Sequence, residues 1–231
     1  MKALARNQLV WIDTQAWQQI EAQAWDPEAQ EILAHWRTHS LPLVVCRHRD
    51  EPTADQLCVG LPAPTRWSRR RLSLSIRLAQ IKVSGVFPAF LQLARARHWG
   101  RAALDFGMAV STLGVNARVY GSHGWQLLTD LHYLHAESDI DVSLHVDDFE
   151  MARQLVSILA TTALHRRVDG EIVFPNGEAI AWREFQNLVE EKTMQVLVKT
   201  PCSIRLAAID EVRQWGRVAP TLAPDMALAL S

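Results

Sequence analysis

The sequence predicts an α/β chain of the α+β type. A smaller N-terminal α+β domain spans residues 1–100, a second domain built on a mixed sheet spans 101–218, and a tail follows over 219–231. Three observations predict this. Residues Arg71 to Leu78 alternate polar and apolar without a break, the period of a half-buried strand. From Val115 onward, apolar runs and helical stretches take turns as strand, helix, strand, helix, strand. A hairpin around a Pro-Asn-Gly turn follows. Asp26-Pro27, Pro62, Pro88, Gly100, Gly114 and Pro175-Asn176-Gly177 mark boundaries between these segments.

In chain order, Leu9–Ile12 reads as a short strand. Asp26 is placed to cap a helix that has Pro27 at its first position and runs to about Thr38. Leu43–Arg47 and Leu57–Leu61 read as strands, the second closed by Pro62 and Pro64. In the alternating strand, Leu72, Leu74, Ile76 and Leu78 share one face, and Arg71, Ser73, Ser75 and Arg77 share the other. A helix from Pro88 to about Trp99 ends at Gly100, and another runs from Arg101 to about Leu113 with Gly114 as its stop. Val115–Tyr120 is a strand, His123 to about Leu134 a helix, and Ser138–Val146 a strand; Asp147 caps a helix to about Ala163. His165–Phe174 and Ala179–Trp182 pair as a hairpin around Pro175-Asn176-Gly177. Glu184–Glu190 is a short helix, and Thr193–Lys199 and Ser203–Leu206 are short strands.

The net charge is -1, which supplies no overall field toward nucleic acid or an acidic membrane, and neither is expected as a partner. The charge is divided, however. Residues 1–113 hold 14 Lys/Arg against 9 Asp/Glu, and residues 114–231 hold 10 against 16. A basic part facing a polyanion and an acidic part holding cations would give this split; so would two halves that attract each other. Cys46, Cys58 and Cys202 are odd in number and lack CxxC spacing, which argues against a disulfide framework or a zinc knuckle and for a reducing compartment. The N-terminus has no apolar signal region, and no run is long enough to span a bilayer, so a cytoplasmic location is expected.

The chemistry concentrates in Ser138-Asp139-Ile140-Asp141-Val142 and in Gly121-Ser122. On a strand, Asp139 and Asp141 project from one face, while Ile140, Val142, Leu144 and Val146 make the other apolar. Two adjacent acids repel, and a divalent cation (Mg²⁺ or Mn²⁺) held by carboxylates and substrate phosphates relieves the repulsion. A Gly-Ser turn opening a helix offers backbone N–H groups to phosphate. Asp169 and Glu171, with Glu178 as a weaker choice, are candidates for a third catalytic carboxylate on a neighbouring strand. Arg66, Arg69, Arg70, Arg71 and Arg77 form the densest basic stretch. Arg70, Arg71 and Arg77 are the candidates for neutralising a triphosphate, and Lys199 is a further substrate-binding candidate. Together with the strand–helix order, these features predict a nucleotidyltransferase-like core that performs metal-assisted transfer.

The string Val119 to Gln126, then Thr129, Leu131, Tyr133-Leu134 and Ser138 to Asp141, resembles the phosphoribosyl-dephospho-CoA transferase family, also called malonate decarboxylase holo-acyl-carrier-protein synthase. Asp169-Gly170-Glu171, Phe174 to Gly177, Ala181 to Glu184 and the Pro-rich segment before Arg69 extend the likeness over most of the chain; Asp130 stands where the resemblance leads one to expect Gly. The resemblance implies transfer of phosphoribosyl-dephospho-CoA from triphosphoribosyl-dephospho-CoA to a serine of the apo acyl carrier protein subunit of malonate decarboxylase, with release of pyrophosphate. It implies that Asp139 and Asp141 hold the metal, that Asp169 or Glu171 completes the site, and that Gly121 and Ser122 cradle phosphates. The alternatives are an adenylyltransferase using the same metal site and a non-catalytic module that binds the carrier.

Overall fold

The computed structural model describes residues 4–46, 55–200 and 203–216. Cys202, the expected strand end at Arg47 and the tail from residue 219 lie outside the described residues.

The chain builds two sheets in succession. The first contains strands β1 (Leu9–Ile12), β2 (Leu43–Val45), β3 (Gln56–Pro62), β4 (Arg71–Arg77) and β5 (Ile81–Gly85), in the order β4-β3-β2-β1-β5 with every pair antiparallel. Two helices cover one face, α1 (Thr14–Glu21) and α2 (Pro27–Thr38). The Asp26 carboxylate accepts from the Ala29 N–H at 3.1 Å, which caps α2 at the expected residue. Ala29, Ile32, Leu33 and Trp36 then repeat at helical spacing on the buried side. They pack on Leu72, Leu74 and Ile76 of β4, whose alternation is reproduced residue by residue.

Helices α3 (Phe90–Ala96) and α4 (Arg101–Thr112) lead into the second unit. It contains β6 (Asn116–Val119), α5 (Gly121–Thr129), β7 (Ile140–His145), α6 (Phe149–Thr161), β8 (Val168–Val173), β9 (Ala179–Ala181), α7 (Trp182–Val189), β10 (Gln195–Lys199), β11 (Ile204–Ala208) and α8 (Ile209–Val212). The sheet order is β11-β10-β9-β8-β7-β6. β7 and β8 are parallel across the α6 crossover, and the other pairs are antiparallel, which makes the sheet mixed as expected. Helix α3 contributes Phe90, Leu93 and Ala94 to the second core, so the packing changes hands near residue 86 rather than at 100.

Several boundaries differ from expectation for local reasons. Helix α5 starts at Gly121 and stops at Thr129, because Asp130 adopts the left-handed conformation (φ 56°) that ends helices. Residues 131–137 form a loop, held by Gln126 Oε1, which accepts from the Tyr133 and Leu134 N–H groups at 3.1 Å each. Helix α6 is capped by Asp148, not Asp147; its carboxylate accepts from the Met151 N–H at 2.8 Å. Gly100 opens α4 rather than closing α3, which ends at Ala96. Among the described residues no helix is long and apolar enough to cross a membrane.

Candidate active site

Strand β7 presents Ile140, Val142 and Leu144 to the core, all fully buried, so the residues between them face the other way. On that face the parallel register sets Asp141 directly beside Asp169 and Ser143 beside Glu171. Asp139, just before the strand, lies two residues from Asp141 on the same side. Asp141 therefore sits among like charges. Burial, then Asp169 and Asp139, push its carboxyl up to about 6, with Arg71 opposing the rise.

The α5 N-terminus closes on this cluster from above. Gly121 has φ 57°, and a Cβ there would collide with Asp141 Oδ2, so only glycine allows the carboxylate to lie against the turn. No side chain caps the first turn of α5, which leaves its N–H groups for a ligand. The Tyr120 N–H donates to the Asp141 carbonyl at 3.0 Å, and burial pushes the Tyr120 phenol up to about 12. At the floor, Gly170 (φ 148°) lets β8 approach where a Cβ would strike the Val142 carbonyl.

A cavity of about 520 Å³ opens over Asp141, between the two sheets, within the usual size range of small-molecule sites. Tyr120, Gly121, Ser122 and Asp141 line one side of it, and Arg69, Arg71 and Ser73 line the other. Its aromatic wall is a seam cluster. Trp125 meets Phe87 edge-on at 5.5 Å and stacks on Tyr133 at 6.5 Å. The Tyr133 hydroxyl donates to the Pro62 carbonyl at 2.8 Å, tying the walls together. Arg69 follows Ser68 in a left-handed pair (φ 54° and 53°), strain of the sort that folded chains keep at functional sites.

Sequence reasoning placed the basic residues less well than the acids. Arg71 lines the cavity, but Arg70 turns away to pair with Asp26 and, at 3.2 Å, Glu28. Arg77 shares the Arg71 face, yet six residues along a strand is roughly 20 Å, and it lines no part of this cavity. Arg69, whose turn geometry no alternation reveals, lines it instead. The two candidates for a third acid separate cleanly. Asp169 stands beside Asp141, whereas Glu171 is buried between Arg6 and Lys199, whose Nζ lies 2.6 Å from Oε1. Lys199 is thereby committed to Glu171, and Glu178 pairs with Arg205 at 2.7 Å.

Of three further cations beside the acids, Arg183 lies in the Ala181 to Glu184 string, while Arg6 and Arg167 carried no signal in the sequence. Arg183 donates to Asp169 Oδ1 at 2.8 Å, and Arg167 stands 3.8 Å from Asp139 and 3.5 Å from Asp169. Arg6 reaches Glu171 from the far end of the chain. His123 is buried in α5, its ring edge-on to Trp99 at 5.2 Å, and burial pushes it down to about 4.

Asp139, Asp141 and Asp169 form an all-oxygen set whose mutual repulsion is only partly offset by arginine, which suits a hard divalent cation. Among the described residues no three His, Cys, Asp or Glu side chains converge closely enough to hold a metal by themselves. A cation here would need further oxygens from elsewhere, and phosphates are the usual complement of magnesium.

Comparison with known proteins points to one family. The profile of the phosphoribosyl-dephospho-CoA transferase MdcG C-terminal domain matches residues 86–209, and that of its N-terminal domain matches residues 5–87. A phosphoribosyl-dephospho-CoA transferase of Xanthomonas campestris pv. campestris is 33% identical over 207 residues, covering 87% of this chain and 92% of the relative. Those of Xanthomonas euvesicatoria pv. vesicatoria (31% over 232 residues; 90% and 97% covered) and Bradyrhizobium diazoefficiens (32% over 203 residues; 84% and 86%) are comparably similar. No solved structure matches the chain.

Proposed function

The chain belongs to the phosphoribosyl-dephospho-CoA transferase family, an enzyme family, and on that premise we propose that it moves phosphoribosyl-dephospho-CoA from the triphosphoribosyl donor to a serine of an apo acyl carrier protein. The carrier on this reading is the small subunit of malonate decarboxylase, and the reaction runs in the cytoplasm. The observation that carries it is the meeting of three elements in one cavity: Asp141, with Asp169 beside it in the strand register, the uncapped α5 turn and Arg71.

The serine oxygen attacks the α-phosphorus of the 5″-triphosphate, the bond from that phosphorus to the bridging oxygen breaks, and pyrophosphate leaves. Mg²⁺ or Mn²⁺, held by Asp139 and Asp141, would supply charge stabilisation to the triphosphate when bound. The protein's own share is positioning and electrostatics, as in phosphoryl transfer generally. Gly121 and Ser122 offer N–H groups to phosphate oxygens from the α5 turn, and Arg71 and Arg69 neutralise charge from the opposite wall. Asp169 holds one oxygen against Arg183 and turns the other toward the more distant Arg167; that second oxygen is the acceptor for the serine proton. Trp125 and Tyr133 give the aromatic wall on which the adenine end of the donor can rest.

The test is the intact mass of the apo carrier subunit after incubation with the protein, Mg²⁺ and triphosphoribosyl-dephospho-CoA, with ATP as competing donor. A gain equal to phosphoribosyl-dephospho-CoA supports the proposal. A gain equal to AMP makes the protein an adenylyltransferase, and carrier binding without any gain makes it a non-catalytic module.

A further inference from the structure

A second cavity, of about 550 Å³, opens on the other side of the same strand face. Asn7 and Phe87 line both cavities and stand between them. Asp141 opens into the first; Ser143 and His145, the next residues on that face of β7, open into the second. Same-face neighbours on a strand are about 7 Å apart, so the second mouth reaches the reacting centre within one step. An in-line displacement puts the attacking and leaving oxygens on opposite sides of phosphorus. A transferase with two bulky substrates is therefore served by two approaches, and the nucleotide-sized first cavity accounts for only one.

The walls of the second mouth say what it takes. Arg6, Lys82 and Arg118 line it, and among its described lining residues there is no carboxylate. Its outer lip is β5, the edge strand of the first sheet, where Val83 is 58% exposed and Val86, just beyond the strand, is 57% exposed. An exposed apolar edge strand is a surface that proteins blunt unless a partner uses it. A basic mouth with an apolar lip complements an acidic protein segment with a few apolar side chains; a second polyphosphate has no use for the valines.

We propose that this mouth, bounded by Lys82, Val83 and Arg118, docks the acidic serine-bearing segment of the acceptor protein, while the donor occupies the first cavity. The proposal rests on the transferase reading above.

The experiment measures KM for the carrier and for the donor separately, with Lys82→Glu and Val83→Asp. Both residues are exposed on an edge strand, so each variant should keep the native Tm. Carrier KM is expected to rise at least tenfold in each, with donor KM and kcat within twofold of native. Unchanged carrier KM in both variants overturns the proposal, and so does a rise in donor KM instead, which would make the mouth part of the donor site. If the native protein transfers nothing to the carrier, the transferase reading itself fails, an outcome distinct from either. Titration of apo carrier against each variant without donor gives a second readout, and equal Kd values would again overturn it.

Discussion

Asp141 keeps its proton to about pH 6 in the folded chain, against the ordinary value of 3.8 once unfolded. Between those values the unfolded chain has lost the proton and the folded chain has not. Stability from this group therefore falls as pH rises from about 4 to about 6 and stays low above it. In metal-free protein, Asp141→Asn should raise Tm at pH 8, and the gain should vanish near pH 4; a lower Tm at pH 8 would contradict the crowding seen here. Gly121→Ala should be worse for chemistry than for folding. The new methyl group must push the Asp141 carboxylate aside, and displacement of a reacting group by about 1 Å costs on the order of 100-fold in rate. At this scale the acids were legible because period-two spacing fixes which side chains share a face. The basic partners were not, because Arg70 is claimed by Asp26 and Glu28, which no local pattern connects to it.

Strand β4 shows how far periodicity carries. Its alternation fixed the face of Arg71 and Arg77 but not the reach of the cavity, which ends near Ser73. Arg70→Ala should leave donor KM within twofold of native, whereas Arg71→Ala should raise it roughly tenfold, the worth of about one charge-assisted contact; the reverse order would overturn the assignment. Helices α1 and α8 and strand β5 escaped the sequence reading. Helix α1 buries Ala16, Trp17 and Ile20, but its eight residues span only about two turns of a Gln-rich stretch. Strand β5 alternates Ile81 and Val83 with Lys82 and Ser84, but it is five residues long, and at the sheet edge its apolar side is not buried. The motif around Trp125-Gln126 was legible as a string but not as a device. Its physical content is Gln126 gathering the Tyr133 and Leu134 N–H groups into the loop that delivers Asp139.

The whole molecule is two sheets joined at a seam, and the seam is where the site is. Leu9, Phe87, Trp125 and Tyr133 form its apolar cluster, and Arg6, Glu171 and Lys199 form its charged one. The fold class and mixed sheet followed from element order. The seam did not, because its contacts link residues far apart in sequence. Glu171→Gln should destabilise the fold by roughly 1–3 kcal/mol, less than the loss for a fully buried pair because Arg6 and Lys199 reach water. The folded fraction should keep most of its kcat, as befits a structural acid; a loss of activity at native Tm would return Glu171 to the chemistry. The central claim is that the acids on β7 and β8 are the transfer centre. Its most direct test is the single-turnover rate of Asp141→Asn, followed by intact mass of the carrier at saturating donor and Mg²⁺. The account predicts a fall of about a thousandfold or more with dephospho-CoA binding retained. A rate within tenfold of native would contradict it.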